Sequence, residues 1–134
     1  DVSMMIAKLL FNEKAKREIF NVCSSEARTW GEIAEYYNKI CGLEAVWVDK
    51  EDYLKILSPE LKLNTRWQLE YARLFNRSTD NKKVLEFTGM KQEELMPLYD
   101  SLKLMVEAVP EDFVFPETDI SIRMDEYLND NGDI

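Results

Sequence analysis

The sequence contains no histidine and only two cysteines among its 134 residues. Without histidine, the chain lacks the commonest metal ligand and the side chain that most often moves protons near neutral pH. Cys23 and Cys41 do not have the spacing of a zinc site, and a single pair is not a disulfide framework. We therefore predict no metal site and two buried free thiols in a reducing compartment.

The 134 residues also contain no apolar run of membrane-spanning length and no basic leader followed by an apolar segment. The 26 acidic side chains outnumber the 17 basic ones, which gives a formal net charge of -9. A chain this acidic repels nucleic acid and anionic lipid unless its basic residues gather on one face, and no Lys/Arg-rich block is present. We expect a cytoplasmic protein with neither nucleic acid nor membrane as a partner.

Glycine is scarce as well, which bears on cofactor binding. The four glycines lie at positions 31, 42, 89 and 132. They cannot form a Gly-x-Gly-x-x-Gly dinucleotide-binding loop. Tyr99 and Lys103 have the Tyr-x-x-x-Lys spacing of a proton-transfer pair, but no dinucleotide-binding unit precedes them, and this spacing is common in helices. We predict no catalytic and no cofactor-binding residue in this chain.

What the sequence does contain is helical periodicity. Apolar spacing predicts a helix over residues 1–12, with Asp1 as its cap. Thr29 and Glu32 form a capping box for a second helix, which ends at Gly42. Because the chain begins directly in helical spacing, we interpret it as a piece of a longer polypeptide.

Two segments flanking the second helix are rich in β-branched and aromatic residues, at about 18–23 and 43–48. One helix between two short strands predicts a parallel pair joined by a βαβ crossover. Further helices are predicted at Asp49–Leu57, Arg66–Phe75, Asp80–Gly89 and 95–109. We predict an α+β, mostly helical fold, with one domain over residues 1–109 and an acidic tail over 110–134 that contains a possible short helix.

Three arginines suggest a binding site. Arg66, Arg73 and Arg77 are spaced to share one side of a predicted helix or its immediate extension. Guanidinium groups hold phosphate or diphosphate through paired N–H donors. The simpler interpretation is a solvated helix face on which Glu70 pairs with its arginine neighbours.

The order of several short motifs resembles one protein family. The motifs are Asp1-Val2, Phe20-Asn21-Val22, Thr29-Trp30-Gly31-Glu32, Ala45 to Val48, and later Asp80, Lys83 and Gly89. This order is similar to that in the carboxy-terminal half of extended short-chain dehydrogenases, the NAD-dependent epimerase/dehydratase family. The resemblance covers about residues 1–108.

The resemblance implies that cofactor binding and substrate binding belong to two different domains. In whole family members an amino-terminal Rossmann domain holds NAD or NADP and the catalytic Tyr and Lys, and the smaller carboxy-terminal part closes over a substrate, commonly a nucleotide sugar. This chain looks like that smaller part alone, which would be inactive without its Rossmann domain. The resemblance implies substrate-binding roles for Arg73 and Arg77, with Arg66 behind them, although the family's usual Arg-x-Gly-Asp context is absent.

Such a piece should expose an apolar patch at its first helix and first strand, where the Rossmann domain would dock, and could form a homodimer through that patch. The alternative is a self-standing helical interaction module without enzymatic activity. Its exposed Trp and Tyr side chains would then anchor a partner protein.

Overall fold

The computed structural model describes residues 1–60, 62–75 and 78–131, and every regular element in these ranges is helical. The α-helices are α1 (Val2–Leu10), α2 (Trp30–Cys41), α3 (Lys50–Leu57), α4 (Leu63–Gln68), α5 (Lys82–Thr88), α6 (Leu98–Glu107) and α7 (Asp119–Asn131). Helix α4 continues into a π-helical segment at Leu69–Arg73, and short 3₁₀ turns occur at Glu13–Ala15 and Gln92–Glu94.

The predicted parallel strand pair is wrong, because the described residues contain no strand and no sheet. The fold is therefore all-α in those ranges, and the βαβ crossover is wrong with it. Around residues 18–22 the side chains do alternate as in a strand: Phe20 and Val22 pack against the core, whereas Ile19 is 86% exposed. β-branched and aromatic residues favour a pleated surface, but they do not by themselves supply a neighbouring strand.

Residues 43–48, the second predicted strand, are mostly exposed, and Trp47 is 69% exposed. The helix between the two segments agrees with its prediction. The Thr29 N–H donates to the Glu32 carboxylate at 2.7 Å, and the Glu32 N–H donates to Thr29 Oγ1 at 3.2 Å. Gly42 ends the helix in the left-handed region at φ +71°, where a side chain would be strained.

The chain divides into two compact units. The first unit comprises residues 1–44 and the described residues between 76 and 108. In it, α1 packs against α5 and α2 packs against α6. Its core consists of Met5, Val84, Met90 and Leu95, and the first two are completely buried.

The second unit comprises residues 45–75 and the described residues from 109 onward. Helix α3 packs against both α4 and α7, and buries Leu54 and Ile56. Arg123 on α7 donates through Nε to the Ile56 carbonyl at 2.7 Å, which fixes α7 against the end of α3. Helix α7 lies within the predicted acidic tail.

Candidate functional site

The segment that carries the candidate arginines changes its helical pitch part-way. Helix α4 begins at Leu63, three residues before Arg66, where the sequence predicted its start. After Gln68 the backbone becomes π-helical, and the Leu74 N–H donates to the Leu69 carbonyl at 3.1 Å, five residues back. Single π-helical turns are rare and occur frequently at functional sites.

Arg66 forms a paired contact with α3. Its Nη1 and Nη2 atoms donate to the two carboxylate oxygens of Glu51 at 3.0 and 2.6 Å. Nη1 also donates to Glu70 Oε1 at 2.9 Å, and Lys50 Nζ reaches the same oxygen at 2.9 Å. We call these four residues the charge network; it ties the start of α3 to α4 and the π-helical segment.

The charge network shifts the pKa values of its members in one direction, toward the charged forms. The hydrogen bonds from Arg66 lower the pKa of Glu51 to about 2. The hydrogen bonds to Glu51 and Glu70 raise the pKa of Arg66. Bonds from Lys50 and then Arg66 lower the pKa of Glu70, and Glu70 in turn raises that of Lys50. All four side chains are therefore charged at neutral pH.

The pairing of Arg66 with Glu70 matches the simpler of the two sequence interpretations. An anionic ligand at Arg66 would have to displace two carboxylates that already accept its hydrogen bonds. A substrate-binding role for Arg66 stays a prediction, and its contacts give that role no support. Arg77 lies outside the described residues.

Arg73 lines a cavity of about 170 Å³ in the second unit. The other lining residues are Leu57, Thr65, Gln68 and Leu69. The lining thus includes a hydroxyl, an amide and a guanidinium beside two leucines, a combination suited to a phosphate or a hydroxyl-bearing ligand. Ligand pockets usually measure about 300–1,000 Å³, so this cavity suits one group of a larger molecule.

The π-helical segment explains how these polar side chains come together. Thr65 and Gln68 are three residues apart and share a side of α4. Arg73 follows five residues after Gln68, a separation that the i→i+5 bonding of a π turn brings back to the same side. The sequence indicated the arginine spacing, but nothing in it identified the wider turn.

A second, larger depression lies in the first unit. It measures about 400 Å³ and is lined by Ile6, Leu9, Leu10, Asn12, Glu13, Ala15, Lys16, Glu18 and Phe20. Apolar side chains on and beside it are strongly exposed: Leu10 is 76%, Phe11 90% and Ile19 86% accessible. We call Ile6, Leu10, Phe11 and Ile19 the α1 face.

The loop that follows residue 22 is held by hydrogen bonds that the sequence did not predict. Asn81, which is 4% exposed, donates through Nδ2 to the Cys23 carbonyl at 3.0 Å and to Gln92 Oε1 at 2.8 Å. Gln92 donates to the Ser24 carbonyl at 2.6 Å, and Ser25 Oγ to the Thr79 carbonyl at 2.8 Å. This polar clamp fixes the loop after residue 22. An asparagine just before a helix is commonly a helix cap. Nothing in the sequence indicated that the Asn81 side chain would hydrogen-bond to distant residues instead.

Tyr99 and Lys103 have separate partners. The Tyr99 ring packs edge-on against Tyr36, with centroids 5.3 Å apart, and Lys103 Nζ lies 3.8 Å from Glu107. The two thiols are free, but the prediction that they are buried is wrong: Cys23 is half-buried and Cys41 exposed.

The described residues contain no group of three or more potential metal-ligating side chains. Nor does any helix in the described ranges combine the length and the apolar character needed to cross a bilayer. Searches among protein-family models, curated proteins and solved structures found no match to the chain. The likeness to epimerases and dehydratases therefore rests on the motifs quoted above.

Proposed function

We propose that this chain is the substrate-binding part of an NAD(P)-dependent nucleotide-sugar epimerase or dehydratase, and that it works against a Rossmann domain of the same polypeptide. The observation that carries the proposal is the exposed α1 face, which combines the end of α1 with the segment bearing the Phe20-Asn21-Val22 motif. A cytoplasmic location belongs to the same proposal, since free thiols suit a reducing compartment.

The α1 face supports a docked domain because its apolar side chains point away from the core of their own unit. Phe20 and Val22 pack inward, while Ile19 next to them is exposed. Phe11 at the end of α1 is 90% exposed. Contiguous exposed apolar patches mark interaction sites, and a Rossmann domain is the partner that the motif order implies. A homodimer of the isolated chain through this face also stays a prediction, which light scattering checks.

The Arg73 cavity supports the substrate side of the proposal. Arginine is the residue type best suited to phosphate through paired N–H donors, and Thr65 and Gln68 add polar side chains to the lining of the same cavity. At about 170 Å³ the cavity accommodates part of a nucleotide sugar, such as one phosphate. Positioning alone gives no reaction, because hydride transfer needs the nicotinamide and proton transfer needs the Tyr and Lys of the other domain.

Ligand binding by the chain itself tests this proposal. We expect weak binding of UDP- or dTDP-sugars by saturation-transfer NMR, no detectable binding of NAD, and no turnover. Arg73→Ala should weaken sugar binding at least about tenfold, since hydrogen bonds to a charged group are lost. Lys62→Ala is the control: it removes a positive charge from the same unit, at an exposed side chain paired with Glu60, and should change binding less than about twofold.

Two results would contradict the proposal. One is tight NAD binding with sugar turnover by these 134 residues alone. The other is a source gene whose start codon lies immediately before the codon for Asp1. The proposal instead expects an upstream strand, a Gly-x-x-Gly-x-x-Gly turn and a Tyr-x-x-x-Lys pair. Assays of the complete gene product against nucleotide sugars would then separate epimerase from dehydratase.

The second candidate function is a self-standing interaction module, and exposed aromatic side chains favour it. Trp47, Trp67 and Tyr71 are 69%, 54% and 70% exposed. Tryptophan and tyrosine are enriched among the residues that dominate binding at protein interfaces. Absence of any sugar binding, together with specific capture of one protein partner, would favour this module over the enzyme fragment.

A further inference from the structure

We propose that Phe113, Val114 and Phe115, which we call the FVF segment, form a docking site for a protein whose apolar groove is rimmed by lysine and arginine side chains. The segment belongs to the second unit. In the sequence it is distant from the residues that line the Arg73 cavity. The proposal does not depend on the enzyme assignment.

The FVF segment presents three consecutive large apolar side chains, which are 50%, 84% and 74% exposed. The rings of Phe113 and Phe115 contact each other edge-on, with centroids 4.9 Å apart and planes at 85°. The two anchors therefore lie side by side, and Val114 is the most exposed of the three. Adjacent aromatic anchors in adjoining pockets are typical of the centre of a binding interface.

Hydrogen-bonded turns lie on both sides of the FVF segment. The Phe113 N–H donates to the Pro110 carbonyl at 3.0 Å, which closes a turn on one side. On the other side the Ser121 N–H donates to Thr118 Oγ1 at 3.1 Å and the Thr118 N–H to Ser121 Oγ at 2.8 Å, at the start of α7. A segment held in this way loses less conformational entropy on binding than a free peptide would.

The charge around the FVF segment specifies the partner's chemistry. Glu111 and Asp112 precede it, Glu117 and Asp119 follow it, and no lysine or arginine occurs between Lys103 and Arg123. Four carboxylates around an apolar centre complement a groove with a basic rim. They repel anionic lipid and nucleic acid, and they disfavour a second copy of this chain, whose net charge is also -9.

A synthetic amphipathic helical peptide of leucine and lysine serves as the probe, because it carries an apolar face with a basic rim. In fluorescence anisotropy with the full chain, we expect Phe113→Ala/Phe115→Ala to weaken binding at least about tenfold. Glu111→Gln/Asp112→Asn/Glu117→Gln should weaken binding and flatten its salt dependence. Phe75→Ala, which removes an exposed phenylalanine elsewhere in the same unit, should change the affinity less than about twofold.

A version of the peptide with glutamine for lysine separates the basic rim from the apolar face, and it should bind at least about tenfold more weakly. Binding that is indifferent to the two phenylalanines would overturn the proposal, because the peptide would then respond to net charge alone. Self-association that the double alanine variant abolishes would also overturn the proposal. Binding of the wild-type chain to zwitterionic vesicles would do the same. Because both rings are exposed, the double variant should keep the wild-type circular dichroism spectrum.

Discussion

The two units of this protein differ in the polar interactions that hold their helices together. In the first unit, completely buried Met5 and Val84 join α1 to α5, and side chains hydrogen-bond to backbone across long sequence separations. In the second unit, Leu54 and Ile56 on α3 are buried as well, and the charge network joins α3 to α4. Apolar burial is not screened by salt, whereas exposed ion pairs are screened by it and weakened by acid. The first unit should therefore be the more robust part of the molecule.

Met5→Ala should cause the largest loss of stability, because it removes a side chain from the core of the first unit. Met5 is completely buried, so its truncation should leave a cavity and destabilise the protein by about 2–5 kcal/mol in urea unfolding. Met4→Ala is the matched control one position earlier on the same helix. Met4 is 54% exposed, and its loss should change the unfolding free energy by less than about 0.5 kcal/mol. Equal effects of the two substitutions would mean that burial of Met5 in the core does not stabilise the first unit.

Asn81→Ala should have the next largest effect, because it leaves the Cys23 carbonyl without its donor. The buried amide group makes two hydrogen bonds, so we expect a loss of about 1–3 kcal/mol in the same unfolding measurement. Asn38→Ala is the control, since Asn38 also donates to a backbone carbonyl but is exposed. A loss for Asn81→Ala no greater than that of the control would show that the polar clamp adds nothing to the first unit.

The smallest expected effect is the loss of stability in acid, and it concerns the second unit. Because its pKa falls from 4.5 to about 2 on folding, Glu51 stabilises the second unit above pH 4.5, and this contribution disappears as the pH drops toward 2. The gain is modest because these side chains are partly exposed. The protection of amides from hydrogen exchange, corrected for the intrinsic rate at each pH, should therefore fall with acid around α3 and α4 before it does around α1 and α5.

Arg66→Met tests the cause of that shift. Without the guanidinium, the pKa of Glu51 should rise back toward 4.5, which carbon-13 NMR of its carboxyl group would measure. Lys55→Met should shift the Glu51 titration much less than Arg66→Met does, because Lys55 pairs directly with Asp52 and attracts Glu51 only at longer range. An unchanged Glu51 midpoint in Arg66→Met would mean that the paired contact does not exist in solution.

Local signals predicted the helices well. The capping box at Thr29 and Glu32 and the left-handed exits at Gly42 and Gly89 are where the sequence predicted them. Asp49 caps α3 by accepting the Glu51 N–H at 2.8 Å. These features depend on residues within a few positions of one another, so a sequence window contains all the physics they require.

Features that depend on distant partners could not be predicted in the same way. Phe20 and Val22 signalled a strand, but a strand needs a second backbone at hydrogen-bonding distance, and none occurs in the described residues. The three-arginine pattern predicted a shared helix side and could not specify whether carboxylates from α3 would pair with any of the arginines. For Arg66 they do. The Arg73 cavity depends on a change of helical pitch that no residue type signals.

The wide turn at Leu69–Arg73 also makes chain length there as consequential as residue identity. Each residue of an α-helix advances the direction of its side chain by about 100°. Deleting a single residue between Leu69 and Arg73 would leave the arginine four residues after Gln68 and seven after Thr65, spacings that an ordinary α-helix keeps on one side. A change in length of one codon would thus remove the wide turn and restore i→i+4 bonding, while the arginine stays on the side of Thr65 and Gln68.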